Sequence, residues 1–195
     1  MLREKLNKYH IILASGSPRR QHFFRELNLE FAIEVRTVEE VYPPSLKGAE
    51  ITDYLAQLKA SVFVDLKASD LLITSDTIVW KDGRPLEKPL DRNHAIRMLK
   101  DLSGEMHEVF TSVCFTTKHF QETINDRTKV WFRKLNQDEI EYYVDTYKPF
   151  DKAGSYGIQD WLGYVGIEKI EGCFFNVMGL PTRLVYKTLM ELANR

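Results

Sequence analysis

An apolar run that turns into a helix within a few residues leaves a chain few choices of fold. Residues 11–14 form such a run, the tight turn Ser15-Gly16-Ser17 follows, and Pro18 opens a helical pattern with Phe23, Phe24 and Leu27 on one side. Ser17 suits the N-cap, where a hydroxyl accepts from an orphan backbone N–H. Pro18 suits the first helical position, where no N–H is needed. The segment predicts strand, tight loop, helix.

The alternation continues. Residues 31–36 predict a second strand, and 38–47, with acids and two prolines, a loop. Thr52 begins a second helix carrying Leu55, Leu58, Val62 and Phe63 at helical spacing. Leu71, Leu72 and Ile73 predict a buried strand, with Ile78 and Val79 beyond Asp76, and Asp82-Gly83 marks a hairpin. Asp91 caps a third helix bearing Ala95, Met98, Leu99 and Leu102, which Gly104 ends. Residues 109–117 and 128–133 predict strands. Asn136 and Glu139 form a capping box for a helix with Ile140, Tyr143, Val144 and Tyr147, stopped by Pro149. The last element follows Pro181, with Leu184, Val185, Thr188, Leu189 and Leu192 on its apolar face. No repeat, low-complexity stretch or linker interrupts the 195 residues. The expectation is a single domain over 1–195, α/β in class, with a mixed sheet and flanking helices.

Composition narrows the function. Hydrophobic residues at 44% supply a core, and charged residues at 28% argue against disorder. A formal net charge of −1 gives no sign of a nucleic-acid or membrane partner. The apolar runs are too short to span a bilayer, and residues 1–10 lead into no signal-peptide core. Cys114 and Cys173 form no CxxC pattern and no disulfide framework, so a cytoplasmic setting is expected. The five histidines show no zinc-ligand spacing. Trp80, Trp131 and Trp161 read as core or lid residues.

Four clusters carry chemistry. Ser15-Gly16-Ser17-Pro18-Arg19-Arg20 opens a helix with hydroxyls, a glycine and two guanidinium groups, a set that suits phosphate oxygens. It also suits an ordinary capped helix, and it lacks the spacing of a Walker A loop. Asp76 follows a buried strand, where a carboxylate is poorly solvated unless it holds a cation, serves a reaction or caps a turn. Glu87-Lys88-Pro89 lies just past the hairpin, which would bring Glu87 near Asp76. Two or three such carboxylates with a triphosphate suit Mg²⁺. In residues 151–159 the small residues allow close backbone approach, and Gln159 offers a donor and an acceptor to a base edge, or merely an exposed bend.

Taken together, the chain resembles the Maf family of nucleotide pyrophosphatases. The resemblance rests on LASGSPRR (13–20), the Glu39-Glu40 pair, LAQLKA (55–60), SDTIV (75–79), LEKP (86–89), MLKDLSGEMHEVFT (98–111), DKAGSYGIQ (151–159) and NVMGLP (176–181), in family order. It implies an elongated α/β fold like that of ITP pyrophosphatases, with a cleft between two lobes. It also implies hydrolysis of the α–β phosphoanhydride bond of a nucleoside triphosphate with a divalent metal, Mg²⁺ or Mn²⁺. By resemblance Asp76 is the catalytic base, Glu40 and Glu87 are acidic partners for the metal or water, and Ser15, Ser17, Arg19, Arg20 and Lys88 hold phosphates. Arg19, Lys59 and Gln159 match the branch preferring dTTP and UTP. Relatives are often homodimers. Asp160-Trp161 departs from the glycine that many relatives carry after the glutamine. The alternative is a nucleotide-binding regulator of cell division without hydrolysis; a phosphatase removing only the terminal phosphate is a further rival.

Overall fold

The structure, a computed structural model, describes residues 1–195. After α1 (Leu2–Lys5), strand β1 (His10–Leu13) buries Ile11, Ile12 and Leu13. Ser17 caps α2 (Pro18–Glu26), accepting from the Arg20 amide, with Pro18 in the first turn. The second strand, β2 (Ala32–Ile33), is shorter than the expected 31–36 and pairs parallel to β1. Helix α3 (Ala49–Ser61) begins ahead of Thr52. Its N-cap, Gly48, has no side chain to cap with, and the Glu50 and Ile51 amides donate to the Lys47 and Gly48 carbonyls instead (3.1 and 3.2 Å). Val62 is its C-cap, so the apolar spacing through Phe63 outlasts the helix.

Strand β3 (Asp70–Lys81) is a continuous strand of 12 residues. It turns at Asp82 (φ 50°) and Gly83 (φ 78°) into β4 (Arg84–Leu86), pairing Val79 with Leu86. Two positive φ angles are what a tight two-residue hairpin turn demands. Asp91 caps α4 (Arg92–Leu102) through the His94 amide (2.7 Å), and Gly104, φ +75°, follows its C-cap. Strands β5 (Met106–Thr116) and β6 (Gln121–Phe132) both start before the expected 109 and 128. Asn136 and Glu139 form the expected reciprocal box at α5 (Gln137–Tyr147), and Lys148 in the left-handed region ends it before Pro149. A 3-10 turn (Ala153–Ser155), α6 (Trp161–Gly166), β7 (Ile167–Glu171) and α7 (Phe174–Val177) come next, none of them foreseen. The chain closes with α8 (Thr182–Ala193).

The strands run in the order β2-β1-β3-β5-β6-β7, with β4 beside β3. β1 is parallel to β2 and β3, whereas β4 is antiparallel to β3 and β7 to β6, so the sheet is mixed as expected. The early half of β6 escaped the hydrophobic pattern because its partners are polar. Asp53 accepts from Asn125 Nδ2 (3.0 and 3.2 Å), and Gln57 donates to Thr123 Oγ1 (3.1 Å).

Two compact units emerge: Met1–Asp76 with Thr111–Asp126 and Gly179–Arg195, and Thr77–Phe110 with Arg127–Met178. In the first, Ile12, Ala56, Ala60, Phe63, Leu72 and Cys114 pack together. In the second, the face of α4 meets β5, β6 and α5 through Leu99, Leu102, Val109, Phe132 and Ile140. His107 is buried there among Phe132 and Tyr156, its Nε2 2.7 Å from the Tyr156 hydroxyl. Burial, with Lys81 adding repulsion, pulls the imidazole from 6.5 down to about 3.

A histidine held neutral by burial costs stability whenever the unfolded chain can protonate it. That penalty is absent above about pH 6.5 and grows as the pH falls toward about 3. Between pH 7 and pH 5 it amounts to about 2 kcal/mol. Denaturant unfolding at the two pH values is expected to show that much more acid loss in the wild type than in His107→Gln. Equal losses would place the acid sensitivity elsewhere.

Candidate active site

The turn between β1 and α2 is built from its own backbone. Ser15 is buried, its Oγ accepts from the Ser17 amide (3.2 Å), and its carbonyl accepts from Gln21 Nε2 (3.1 Å). A Cβ placed on Gly16 would meet nothing within 4 Å. Packing therefore does not require a glycine there, and the backbone lies open to approach by a ligand. The N-terminus of α2 behind it carries the positive end of the helix dipole.

Arg20 does something that its sequence position did not announce. Its Nε donates to the Gly179 carbonyl and its Nη1 to the Ser75 carbonyl, each at 2.8 Å. One guanidinium thus ties α2, β3 and the segment before α8 together. Removal from water pulls its pKa down to about 10, Asp76 and Glu40 opposing the shift and Arg19 adding to it, so it stays charged at neutral pH. The phosphate role assigned to Arg20 by resemblance must share the side chain with these two main-chain bonds.

Asp76 lies in the middle of β3, not at its end. Its place is between the last β1 pair, Leu13 with Ile73, and the first β4 pair, Val79 with Leu86. Lys59, in the last turn of α3, donates to Asp76 Oδ1 at 2.6 Å and sits 2.9 Å from Glu40 Oε2. One turn earlier Thr74 Oγ1 donates to the Ala56 carbonyl (2.6 Å), which pins α3 to β3 and fixes where Lys59 can reach. The other carboxylate oxygen, Asp76 Oδ2, is buried without a hydrogen-bond partner, and so is Ser75 Oγ. A buried acceptor left unmade costs about 1–3 kcal/mol, which calls for an explanation in terms of what else binds there.

The second unit holds the remaining sequence-derived candidates. Glu87 and Lys88 are exposed, and the Glu87 carbonyl accepts from the Gly154 amide (3.2 Å). Gly154 has φ +66°, and a Cβ there would come within 2.8 Å of Val79, so the 3-10 turn requires glycine. Gln159 is half-buried, and its Oε1 is buried without a partner.

No three histidine, cysteine, aspartate or glutamate side chains gather as a ligand set. Two do converge, since Asp76 and Glu40 share one ammonium and Asp76 keeps an unfilled oxygen. Mg²⁺ is commonly held by one or two carboxylates, with waters and substrate phosphates completing its shell. Glu40, held beside Asp76 by the shared ammonium, fits that requirement as a ligand.

Comparison with known proteins places the chain in a family. The family model described as Maf-like protein matches residues 10–192. A protein of Christiangramia forsetii named dTTP/UTP pyrophosphatase is 56% identical over 195 residues, covering 100% of both chains. One of Bacteroides thetaiotaomicron with the same name is 47% identical, covering 96% of this chain and 98% of its own. The solved structure of a HAM1 protein from Coxiella burnetii superposes with a TM-score of 0.52 at 12% identity, covering 94% of this chain and 99% of its own. That likeness is one of fold. No helix is long and apolar enough to cross a membrane.

The Arg20 fork has a direct consequence. A lysine carries the same charge but cannot present two N–H groups in a rigid plane. Arg20→Lys is therefore expected to lower unfolding stability by about 1–3 kcal/mol through an unmade carbonyl bond. Chemical denaturation checks this, and an unchanged midpoint would show that the fork holds nothing.

Proposed function

The chain belongs to the Maf-like protein family, and on that premise we propose that it hydrolyses dTTP and UTP to the monophosphate and pyrophosphate. What supports the substrate is the name shared by full-length relatives at 47–56% identity. What supports the chemistry is one observation: a buried carboxylate with one oxygen on Lys59 and the other without a partner. The regulatory alternative without hydrolysis gains nothing from relatives named for an activity.

A bound Mg²⁺ or Mn²⁺, held by Glu40 and, by motif match, Glu87, would neutralise charge on the departing pyrophosphate. The chain's own residues do the rest. Asp76 Oδ2 takes a proton from water as its oxygen bonds to the α-phosphorus and the bond to the α–β bridging oxygen breaks. Lys59 keeps that carboxylate aimed. Ser15, Ser17, Arg19 and the first amides of α2 bind phosphate oxygens, with Arg20 fixing the loop on β3 and contributing its remaining charge. Lys88 adds a phosphate contact and Glu87 a second acid, both by motif match. Gln159 reads the base, because a carboxamide can pair with an imide N–H and its neighbouring carbonyl. A reducing cytoplasm suits the free Cys114 and Cys173.

Purified protein with UTP or dTTP and Mg²⁺ is expected to release monophosphate and pyrophosphate in equal amounts. Diphosphate and orthophosphate as main products would overturn the assigned bond. A screen in which 7-methyl-GTP or ITP proved the best substrate by a wide margin would overturn the base assignment.

A further inference from the structure

The base-reading role of Gln159 raises a physical question: what keeps a carboxamide in one orientation on a loop? The answer lies in α5. Tyr143 is fully buried, and its hydroxyl accepts from the Gly157 amide at 3.0 Å while donating to Asp160 Oδ2 at 2.9 Å. One phenol thus grips the chain on both sides of Gln159. Burial, helped by Asp160 against the Gly157 amide, pushes the phenol pKa up, which keeps it a donor.

Asp160 is a second part of this grip. It occupies the N-cap of α6, where an aspartate ordinarily accepts from the first helical amides. Here its side chain makes no capping bond and turns to Tyr143 instead, with Lys152 Nζ 3.9 Å from the same oxygen. The loop is folded too tightly for side chains: a Cβ on Gly157 would lie 2.5 Å from Asp160 Oδ2 and 2.8 Å from Gln159 Nε2, and one on Gly163 would lie 1.7 Å from the Ile158 carbonyl. Within it Gln159 Oε1 is buried and has no donor from the protein. An acceptor held in place without a donor is suited to a ligand N–H.

We propose that Tyr143 and Asp160 are positioning residues that fix the loop from which the Gln159 carboxamide oxygen meets the imide N3–H of uracil or thymine, and that they set discrimination against cytosine. Cytosine N3 carries no hydrogen, so it would bring an acceptor against a fixed acceptor. A glutamine on a loose loop could swing and offer its amide instead; a loop fixed at Gly157 and Asp160 restricts that movement, and a site built on a specific hydrogen bond discriminates strongly against a base that lacks it. The inference rests on the function proposed above, and it adds residues that the motif match does not name.

The test compares kcat/KM for UTP and CTP in the wild type, Tyr143→Phe, Asp160→Ala and Asp160→Asn, by pyrophosphate release. Tyr143→Phe and Asp160→Ala are expected to lower the UTP/CTP ratio by on the order of tenfold, mainly through a raised KM for UTP. Asp160→Asn keeps an acceptor for the phenol and is expected to hold the ratio within about threefold. Hydrogen exchange at the Gly157 amide should quicken by on the order of tenfold in Tyr143→Phe, a readout that needs no turnover. Asp160→Ala leaves the buried ring in place and carries the test if Tyr143→Phe folds poorly. Equal losses on both nucleotides, with the ratio unchanged, would overturn the clamp and leave the proposed activity standing. A wild type without preference for UTP would overturn the base assignment and the clamp with it.

Discussion

One ammonium group organises the candidate site. Lys59 reaches from the last turn of α3 to Asp76 on β3 and Glu40 in the loop before α3, at 2.6 and 2.9 Å. Without that cation the buried Asp76 carboxylate would face the exposed Glu40 with nothing to balance its charge, and repulsion would favour moving the loop away from the strand. With it, both stay in place, and one oxygen of Asp76 remains without a protein partner. The packing beneath serves this arrangement, since Thr74 bonds Ala56 and Leu72 packs with Ala56 and Ala60, which fixes the register of α3 on β3.

The same logic of fixed donors and acceptors extends along the chain. Arg20 spends two N–H groups on carbonyls of Ser75 and Gly179, so the loop at the start of α2 is tied to the strand that bears Asp76. In the second unit, Tyr143 spends its hydroxyl on Gly157 and Asp160. Both hold main-chain groups in place, whereas Asp76 Oδ2 and Gln159 Oε1 are buried polar atoms without a partner. Engaged groups hold the scaffold, and under the proposed function the two unengaged oxygens are the ones a ligand would satisfy.

Legibility in the sequence followed the physical origin of each feature. Helices with side-chain caps, α2, α4 and α5, were readable because Ser17, Asp91 and Asn136 announce them. α3 was misplaced at its start because Gly48 offers no capping side chain and main-chain carbonyls take the first amides. The polar half of β6 was missed because hydrogen bonds to Asp53 and Gln57, not apolar burial, hold it. At the site, Asp76 was readable from the buried strand it follows, whereas Lys59 and Glu40 came from motif resemblance, and no spacing rule joins residues so far apart in sequence. The Tyr143 grip was invisible because a tyrosine on a helix reads as core, and its hydroxyl partners are set by tertiary folding alone.

The central claim is that Asp76 carries chemistry and not merely charge balance. Asp76→Asn tests it because asparagine keeps the shape and an acceptor oxygen for Lys59 while losing basicity and charge. The decisive measurement pairs nucleotide affinity with single-turnover pyrophosphate release in a variant shown to be folded. The account expects UTP binding within roughly tenfold of the wild type and turnover lower by on the order of 10²-fold or more. A folded Asp76→Asn protein that turns over at the wild-type rate would contradict it.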